Sequence, residues 1–171
     1  DLYQFTSSGT TVDMAMKSFQ IKWGQRAFLT KGLAAMGYDI PACVGSALGS
    51  GRRVACVTGD GSACMNMQEL EVIHRFQLPV KLFISDNHGY SMIYQSQTNN
   101  FHELTGCNQE SGLTLPDLGK IAAAFGLPIY RIDDENNLLE RVKEIVDAPG
   151  PAVTIVSTDI QQKILPKQAN Y

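Results

Sequence analysis

The alternation of hydrophobic and polar positions along the chain predicts strands that are followed by helices. Short continuous apolar runs are typical of strands buried on both faces of a parallel sheet, and apolar residues at every third or fourth position are typical of amphipathic helices. The predicted strands are 54–58, 80–85, 128–132 and 152–157, and residues 27–30 form a short apolar step. The predicted helices are 12–22, one starting at Pro41, one from Asn66 to before Pro79, one from Pro116 to Gly126, and 136–148.

This order of elements predicts an α/β fold, a doubly wound parallel sheet with helices on both faces. The polar segment 95–112 has no clear period and is expected to be irregular and mobile. The length of 171 residues predicts a single domain, residues 1–171. Because the chain opens on Asp1 rather than on methionine, we expect it to be excised from a longer polypeptide.

Composition excludes several classes of partner. With 14 basic against 17 acidic residues the formal charge is −3, and no basic patch indicates a nucleic-acid partner. The apolar runs stop well short of the roughly 18 residues that a membrane span needs. The polar first residues lack the basic start of a signal peptide. These features predict a cytoplasmic protein with no membrane or nucleic-acid partner.

Two glycine-flanked turns carry the candidate chemistry. Asp60 follows the predicted strand 54–58, and Asn87 follows the predicted strand 80–85, one helix and one strand later. Ligands of such sheets bind outside the carboxyl ends of the strands. If these two strands are neighbours, both side chains emerge at one edge within about 5–10 Å of each other. Either turn alone is a common turn signal, so the hypothesis depends on their spacing.

The residue types at these turns predict a site for Mg²⁺ and a diphosphate. Asp60 offers a carboxylate and Asn87 a neutral amide oxygen, and Mg²⁺ prefers oxygen ligands together with substrate phosphates. Gly61 and Ser62 open a helix, whose N–H groups favour an anion. Gly89 allows the backbone to turn so that its carbonyl faces the same ion.

These motifs resemble those of the thiamine diphosphate-dependent enzymes. GDGS followed by DN is similar to that family's metal and diphosphate motif, and GLAAMGYDIPA (32–42) and MNMQELEVIHRFQLPVKLFI (65–84) resemble its acetolactate synthase branch. The similarity runs from about Ser8 to Lys167 and covers only the family's diphosphate-binding (PP) domain. It implies a thiamine diphosphate-binding fold.

The resemblance also implies roles for individual residues. Asp60, Asn87 and the Gly89 carbonyl would ligate Mg²⁺, and Gly61 and Ser62 would hold the diphosphate. The Ala34 carbonyl would accept a hydrogen bond from the pyrimidine amino group, and Met36 would hold the cofactor bent. The remaining expected cofactor contacts are Gly9, Thr10 and Thr11 from the opposite side and Tyr90 at the diphosphate end.

Some positions depart from the family pattern. Asp86 stands where the first asparagine is usual and adds a charge near the ion. Thr10 and Thr11 replace the usual Gln and His, which weakens the expected phosphate contacts. Ser96 replaces a tryptophan of the acetolactate synthase substrate pocket, which favours a relative with another substrate. His88, inside the metal turn, is either a substrate contact or a turn residue.

The function implied is that of a cofactor-binding domain in a 2-oxo-acid decarboxylase or carboligase that assembles as a homo-oligomer. The family's activating glutamate belongs to a pyrimidine-binding domain of the same or a neighbouring chain, and no residue here corresponds to it. We therefore assign no catalytic residue and expect the isolated chain to be inactive. Two alternatives stay open: a natural β subunit of a two-chain decarboxylase, and a non-catalytic nucleotide-binding module.

Overall fold

A computed structural model describes residues 3–6, 8–30 and 32–163 of the chain. The strands are β1 (Tyr3–Thr6), β2 (Arg26–Leu29), β3 (Val54–Gly59), β4 (Val80–Asp86), β5 (Ile129–Ile132) and β6 (Ala152–Ser157). The helices are α1 (Gly9–Ser18), α2 (Asp39–Ser50), α3 (Asp60–Met65), α4 (Glu69–Arg75), α5 (Ser91–Asn100), α6 (Leu118–Ala124) and α7 (Leu138–Asp147), with a 3₁₀ turn at Gln109–Ser111. The end of the expected resemblance, near Lys167, lies outside the described residues.

The six strands form one sheet in the order β2-β1-β3-β4-β6-β5, and every neighbouring pair is parallel. The chain runs outward from β1 to β2 and then returns to place β3 on the other side of β1. This reversal creates a switch point between β1 and β3, where sheets of this type open a crevice at their carboxyl edge. The predicted doubly wound parallel sheet is confirmed.

Helices cover both faces of the sheet. Alternate residues of the central strands, such as Leu82 and Ile84, pack against α2, α4 and α6 in the main core. Residues of the opposite parity, such as Phe83 and Val156, pack with Ile145 of α7 on the other face. α1 and α5 lie in contact with each other, and α1 also packs against β3.

Several predicted helix boundaries were wrong, most clearly those of α1 and α4. α1 begins at Gly9 and ends at Ser18 rather than covering 12–22. The helix predicted from Asn66 begins later, because Asn66 is the residue that ends α3 and its amide nitrogen donates to the Gly37 carbonyl at 2.8 Å. α4 starts after Gln68 instead.

The polar segment 95–112 is ordered by side-chain hydrogen bonds rather than irregular throughout. Its first part continues α5 to Asn100. The Gln97 amide then bonds both the N–H and the carbonyl of Thr105. Asn108 and Ser111 cap the 3₁₀ turn reciprocally. These contacts have no hydrophobic period, and for that reason the pattern of apolar residues did not indicate them.

Candidate functional site

The carboxyl ends of β3 and β4 bring Asp60 and Asn87 together. The two strands are neighbours in register, with Gly59 opposite Ser85. Asp60 directly follows β3 and is 2% exposed. Its Oδ2 accepts hydrogen bonds from the backbone N–H groups of Asn87 and Gly89, each at 3.1 Å. The predicted meeting of the two turns at one edge of the sheet is confirmed.

Burial raises the pKa of the Asp60 carboxyl to about 6. Removal from water is the largest cause, and the nearby Asp86 raises the pKa further. The N–H groups of Gly61, Gly89 and Asn87 act in the opposite direction because they stabilise the carboxylate. The sheet edge therefore holds a carboxylate at a cost that a nearby cation would offset.

The Asn87 side chain carries the feature that most clearly indicates a ligand. Its Oδ1 is buried and has no hydrogen-bond partner among the described residues. A buried amide oxygen without a partner is costly in a folded protein and requires an explanation such as an ion or water. The turn also needs Gly89, since a side chain there would overlap the Cys107 carbonyl.

A cavity of about 320 Å³ opens at this edge, and it collects every cofactor contact predicted from the sequence. On one side lies the first turn of α1, on another the Ala34–Met36 segment, and on the third the two turns after β3 and β4. The predicted residues that line it are Gly9, Thr10, Thr11, Ala34, Met36, Asp60, Gly61, Ser62, Asn87, Gly89 and Tyr90. Ser8, Gly59, Ser91, Met92 and Ile93 complete the lining.

Tyr90 forms a wall of the cavity by lying on Gly61. A β-carbon at Gly61 would overlap the Tyr90 ring and would come within 3.4 Å of the Met36 methyl group. Gly61 is therefore required by close packing. Its backbone angles do not require a glycine, because its φ is not positive. The Tyr90 ring and the Met36 methyl group thus both lie close to Gly61 in the GDG turn.

Comparison with known proteins assigns the chain to a family. The profile of "Thiamine pyrophosphate enzyme, C-terminal TPP binding domain" matches residues 7–156. The chain belongs to this family. Maize acetolactate synthase 2, chloroplastic, is 33% identical over 141 residues, and the Escherichia coli (strain K12) acetolactate synthase isozyme 1 large subunit is 34% identical over 143 residues.

A solved structure assigned as a thiamin diphosphate-dependent enzyme from Mycobacterium smegmatis matches with a TM-score of 0.74 at 25% identity, over 93% of this chain and 29% of that one. The matches span 79% and 82% of this chain but only 22% of the maize protein and 25% of the bacterial one. The chain thus spans about a quarter of the length of its relatives. The predicted membership of an acetolactate synthase-like thiamine diphosphate family is confirmed.

The thiamine pyrophosphate domain fits a magnesium ion at this edge. A carboxylate has about four lone-pair positions, and backbone N–H groups of Gly61, Asn87 and Gly89 occupy three of those of Asp60. One position on Oδ1 remains, and the Asn87 side-chain oxygen in the neighbouring turn also has no partner among the described residues. No cluster of three His, Cys, Asp or Glu side chains exists within the described ranges. The donors at this edge are oxygen atoms, which suit Mg²⁺.

One predicted contact differs in detail. The Gly61 N–H was expected to face the diphosphate, but it donates to Asp60 Oδ1 at 2.7 Å. The Ser62 hydroxyl likewise donates to Asp39 at 3.3 Å and accepts from the Gly37 N–H at 2.8 Å. The sequence analysis did not single out Asp39, although an acidic residue beside Ile40 and Pro41 in a small, apolar helix was a visible signal.

His88 lies in the turn after β4 and is not among the described residues that line the cavity. Its side chain is 86% exposed and pairs with Asp86 at 3.1 Å. Its positive φ of 57° makes it a turn residue, which favours the second of its two expected roles. Ser96, the position of the expected substrate-pocket tryptophan, lies on α5 and also stands outside this lining.

None of the helices described, from α1 to α7, is long and apolar enough to cross a membrane.

Proposed function

We propose that the chain binds the diphosphate of thiamine diphosphate through Mg²⁺, as the cofactor domain of a larger 2-oxo-acid decarboxylase or carboligase. The observation that carries this proposal is the buried Asn87 side-chain oxygen, which has no partner among the described residues and lies in the turn whose backbone binds the buried Asp60 carboxylate. Two oxygen donors at the switch-point edge of a thiamine pyrophosphate domain suit a magnesium ion that also binds phosphate oxygens. The Gly89 carbonyl is the third protein ligand in the proposal.

The diphosphate would lie between this ion and the first turn of α1. Ser8, Gly9 and Thr10 line the cavity, so the amino end of a ten-residue helix faces it. The N–H groups of such a turn and the helix dipole attract an anion. The Thr11 hydroxyl donates to the Ser8 carbonyl at 2.8 Å and holds that turn in place.

The other end of the cofactor would lie against Ala34 and Met36. Ala34 has a positive φ of 50°, which is uncommon for a residue with a β-carbon. This backbone geometry orients the carbonyl that we assign to the pyrimidine amino group. Met36, 39% exposed, lines the cavity, and its methyl group lies close to Gly61. In the proposal this side chain holds the cofactor bent.

When bound, thiamine diphosphate supplies the carbon centre that attacks a 2-oxo acid and stores the electrons left when CO₂ departs. The chain's own residues bind and orient it and form one wall of the cavity. Among the residues described as lining the cavity, Asp60 is the only carboxylate, and the ion occupies it. The chain therefore needs an acid from a pyrimidine-binding domain, and we expect the isolated chain to give no turnover.

Isothermal titration calorimetry tests the cofactor assignment. Thiamine diphosphate should bind to the full-length polypeptide only when Mg²⁺ is present, and it should bind more weakly to the isolated chain. Binding of ADP with equal affinity, with or without the metal, would support the nucleotide-binding alternative and contradict the proposal. A decarboxylation assay with 2-oxo acids on the isolated chain should show no product; turnover at an ordinary enzymatic rate would overturn the missing-acid argument.

A further inference from the structure

Asp39 is a buried carboxylate behind the cavity that the proposed function does not use. It is the first residue of α2 and is 0% exposed. An acidic residue in the first turn of a helix is favourable because of the helix dipole, but such residues are usually solvated. Complete burial of a carboxylate is costly unless its oxygens are hydrogen-bonded. The partners of Asp39 therefore indicate what its burial serves.

Its two carboxylate oxygens take part in different hydrogen bonds, one local and one long-range. Oδ1 accepts from the N–H of Ile40 in its own helix at 3.0 Å, which is a local contact. Oδ2 accepts from the hydroxyl of Ser62, 23 residues away in the GDGS turn, at 3.3 Å. The Ser62 oxygen in turn accepts from the Gly37 N–H at 2.8 Å. Gly37, Ser62 and Asp39 thus form one directed relay of hydrogen bonds.

The Gly37 turn is held from both sides. Its carbonyl accepts from the Asn66 amide at 2.8 Å, while its N–H belongs to the relay. Its φ of 82° suits glycine, and a β-carbon there would lie 2.7 Å from the Met65 β-carbon. The turn therefore fits tightly against α3. Because Met36 directly precedes Gly37, fixing this turn fixes the wall on which the pyrimidine end would lie.

We infer that Asp39 is a positioning residue. Through Ser62 it holds the Ala34–Met36 wall at a set distance from the GDGS turn, residues 59–62. The inference rests on the proposed function, because the two ends of the cavity need a fixed spacing only for one ligand that spans both. Because the Ser62 hydroxyl donates to Asp39, the relay rather than the diphosphate sets its orientation. A ligand that occupies only the diphosphate end does not depend on the relay.

Asp39→Asn tests this directly because it keeps the shape of the side chain. With the amide oxygen on the Ile40 N–H, the amide nitrogen faces Ser62, whose hydroxyl can no longer donate to it. The test compares thiamine diphosphate with inorganic pyrophosphate, both with Mg²⁺, by calorimetry on the full-length polypeptide. The Kd for thiamine diphosphate should rise about fivefold to tenfold, the size of one ordinary hydrogen bond. The Kd for pyrophosphate should stay within about twofold.

Asp117→Asn is the matched control. Asp117 also lies at the start of a helix, where it accepts from the Lys120 N–H at 3.0 Å, and it does not belong to the described cavity lining. Both Kd values should be unchanged in this variant. Ser62→Ala cuts the same relay without altering α2, so it serves if Asp39→Asn does not fold. Ser62→Ala should reproduce the selective loss for thiamine diphosphate.

Equal weakening of both ligands, or of neither, in a folded Asp39→Asn protein would overturn the inference. A loss of pyrophosphate binding in Ser62→Ala would also overturn it, because the hydroxyl would then be a ligand contact. Failure of the wild-type protein to bind either ligand with Mg²⁺ would instead contradict the proposed function. The two failures are thus distinguishable in one series of titrations.

Discussion

Two buried charges lie at opposite ends of the same pair of strands, and their surroundings differ. Lys81 stands near the start of β4, opposite Ala55. It is 1% exposed, and its Nζ donates to the carbonyls of Ala148 and Gly150 at 2.6 and 2.8 Å. Asp60 follows the end of β3, where the Asn87 oxygen beside it has no partner among the described residues.

Burial shifts the pKa of each group toward its neutral form. For Lys81, burial and then the nearby Arg53 lower the pKa of the amine. For Asp60, burial raises the pKa of the carboxyl to about 6. The lysine donates to carbonyls at the end of α7 and in the turn that follows it, so its role is to stabilise the fold. The aspartate keeps unused acceptor capacity in a cavity, which indicates a ligand.

Asp60→Ala should have the largest effect on binding. We expect the Kd for thiamine diphosphate in the presence of Mg²⁺ to rise more than about a hundredfold, since even the outer partners of metal ligands contribute about 10–100-fold. The measurement is calorimetry on the full-length polypeptide. If the variant keeps wild-type affinity, Asp60 does not bind the ion and the contrast with Lys81 disappears.

The metal-free chain should lose stability as the pH rises through the titration of Asp60. Its folded pKa of about 6 exceeds the ordinary 3.8, so the folded state binds more protons between these values and its stability falls across that range. The loss is about 3 kcal/mol for a shift of about two units. Urea unfolding from pH 4 to 7 measures it against Asp60→Asn, in which this pH dependence should vanish. Parallel curves for the two proteins would contradict the raised pKa.

Lys81→Met should affect stability and leave binding unchanged. Methionine keeps the apolar stem but leaves the Ala148 and Gly150 carbonyls without their donor, so the free energy of unfolding should fall by about 2 kcal/mol. The Kd for thiamine diphosphate with Mg²⁺ should stay within about twofold. Urea unfolding and calorimetry of the same preparation separate the two effects. A stable variant with weakened binding would reverse the roles assigned to the two ends of the strands.

Asn87→Ala should show the opposite pattern with the smallest effects. Because Asn87 Oδ1 has no described hydrogen bond to lose, the free energy of unfolding of the metal-free chain should change by less than about 1 kcal/mol. The Kd for thiamine diphosphate with Mg²⁺ should rise about tenfold. A large loss of stability would mean that the amide supports the fold rather than an ion.

The sequence indicated the cavity better than it indicated the helices around it. The turns at Asp60 and Asn87 were predictable because a parallel sheet brings all carboxyl strand ends to one edge. The split between α3 and α4 was not, since it depends on Asn66 bonding the distant Gly37 carbonyl. Helix α5 was missed because its polar second half is held by side-chain bonds such as those of Gln97. These contacts join residues whose proximity no local pattern encodes.

The partnership between Asp39 and Ser62 could not be predicted for a similar reason. It connects two segments that are 23 positions apart, and it forms because α2 and α3 both contact β3 and β4 in the folded structure. Likewise, the use of the Gly61 N–H by Asp60 follows from side-chain geometry in the folded turn. A motif can identify which residues meet, but the folded structure decides which atoms remain available for a ligand.

A crystal structure of the full-length polypeptide with thiamine diphosphate and Mn²⁺ in place of Mg²⁺ tests the central claim most directly. The anomalous signal of Mn²⁺ should give one peak within about 2.0–2.3 Å of an Asp60 carboxylate oxygen and of Asn87 Oδ1. The diphosphate should lie on the far side of the peak, toward the first turn of α1. A cofactor bound with the peak elsewhere, or with Asn87 Oδ1 outside the ion's coordination shell, would contradict the account.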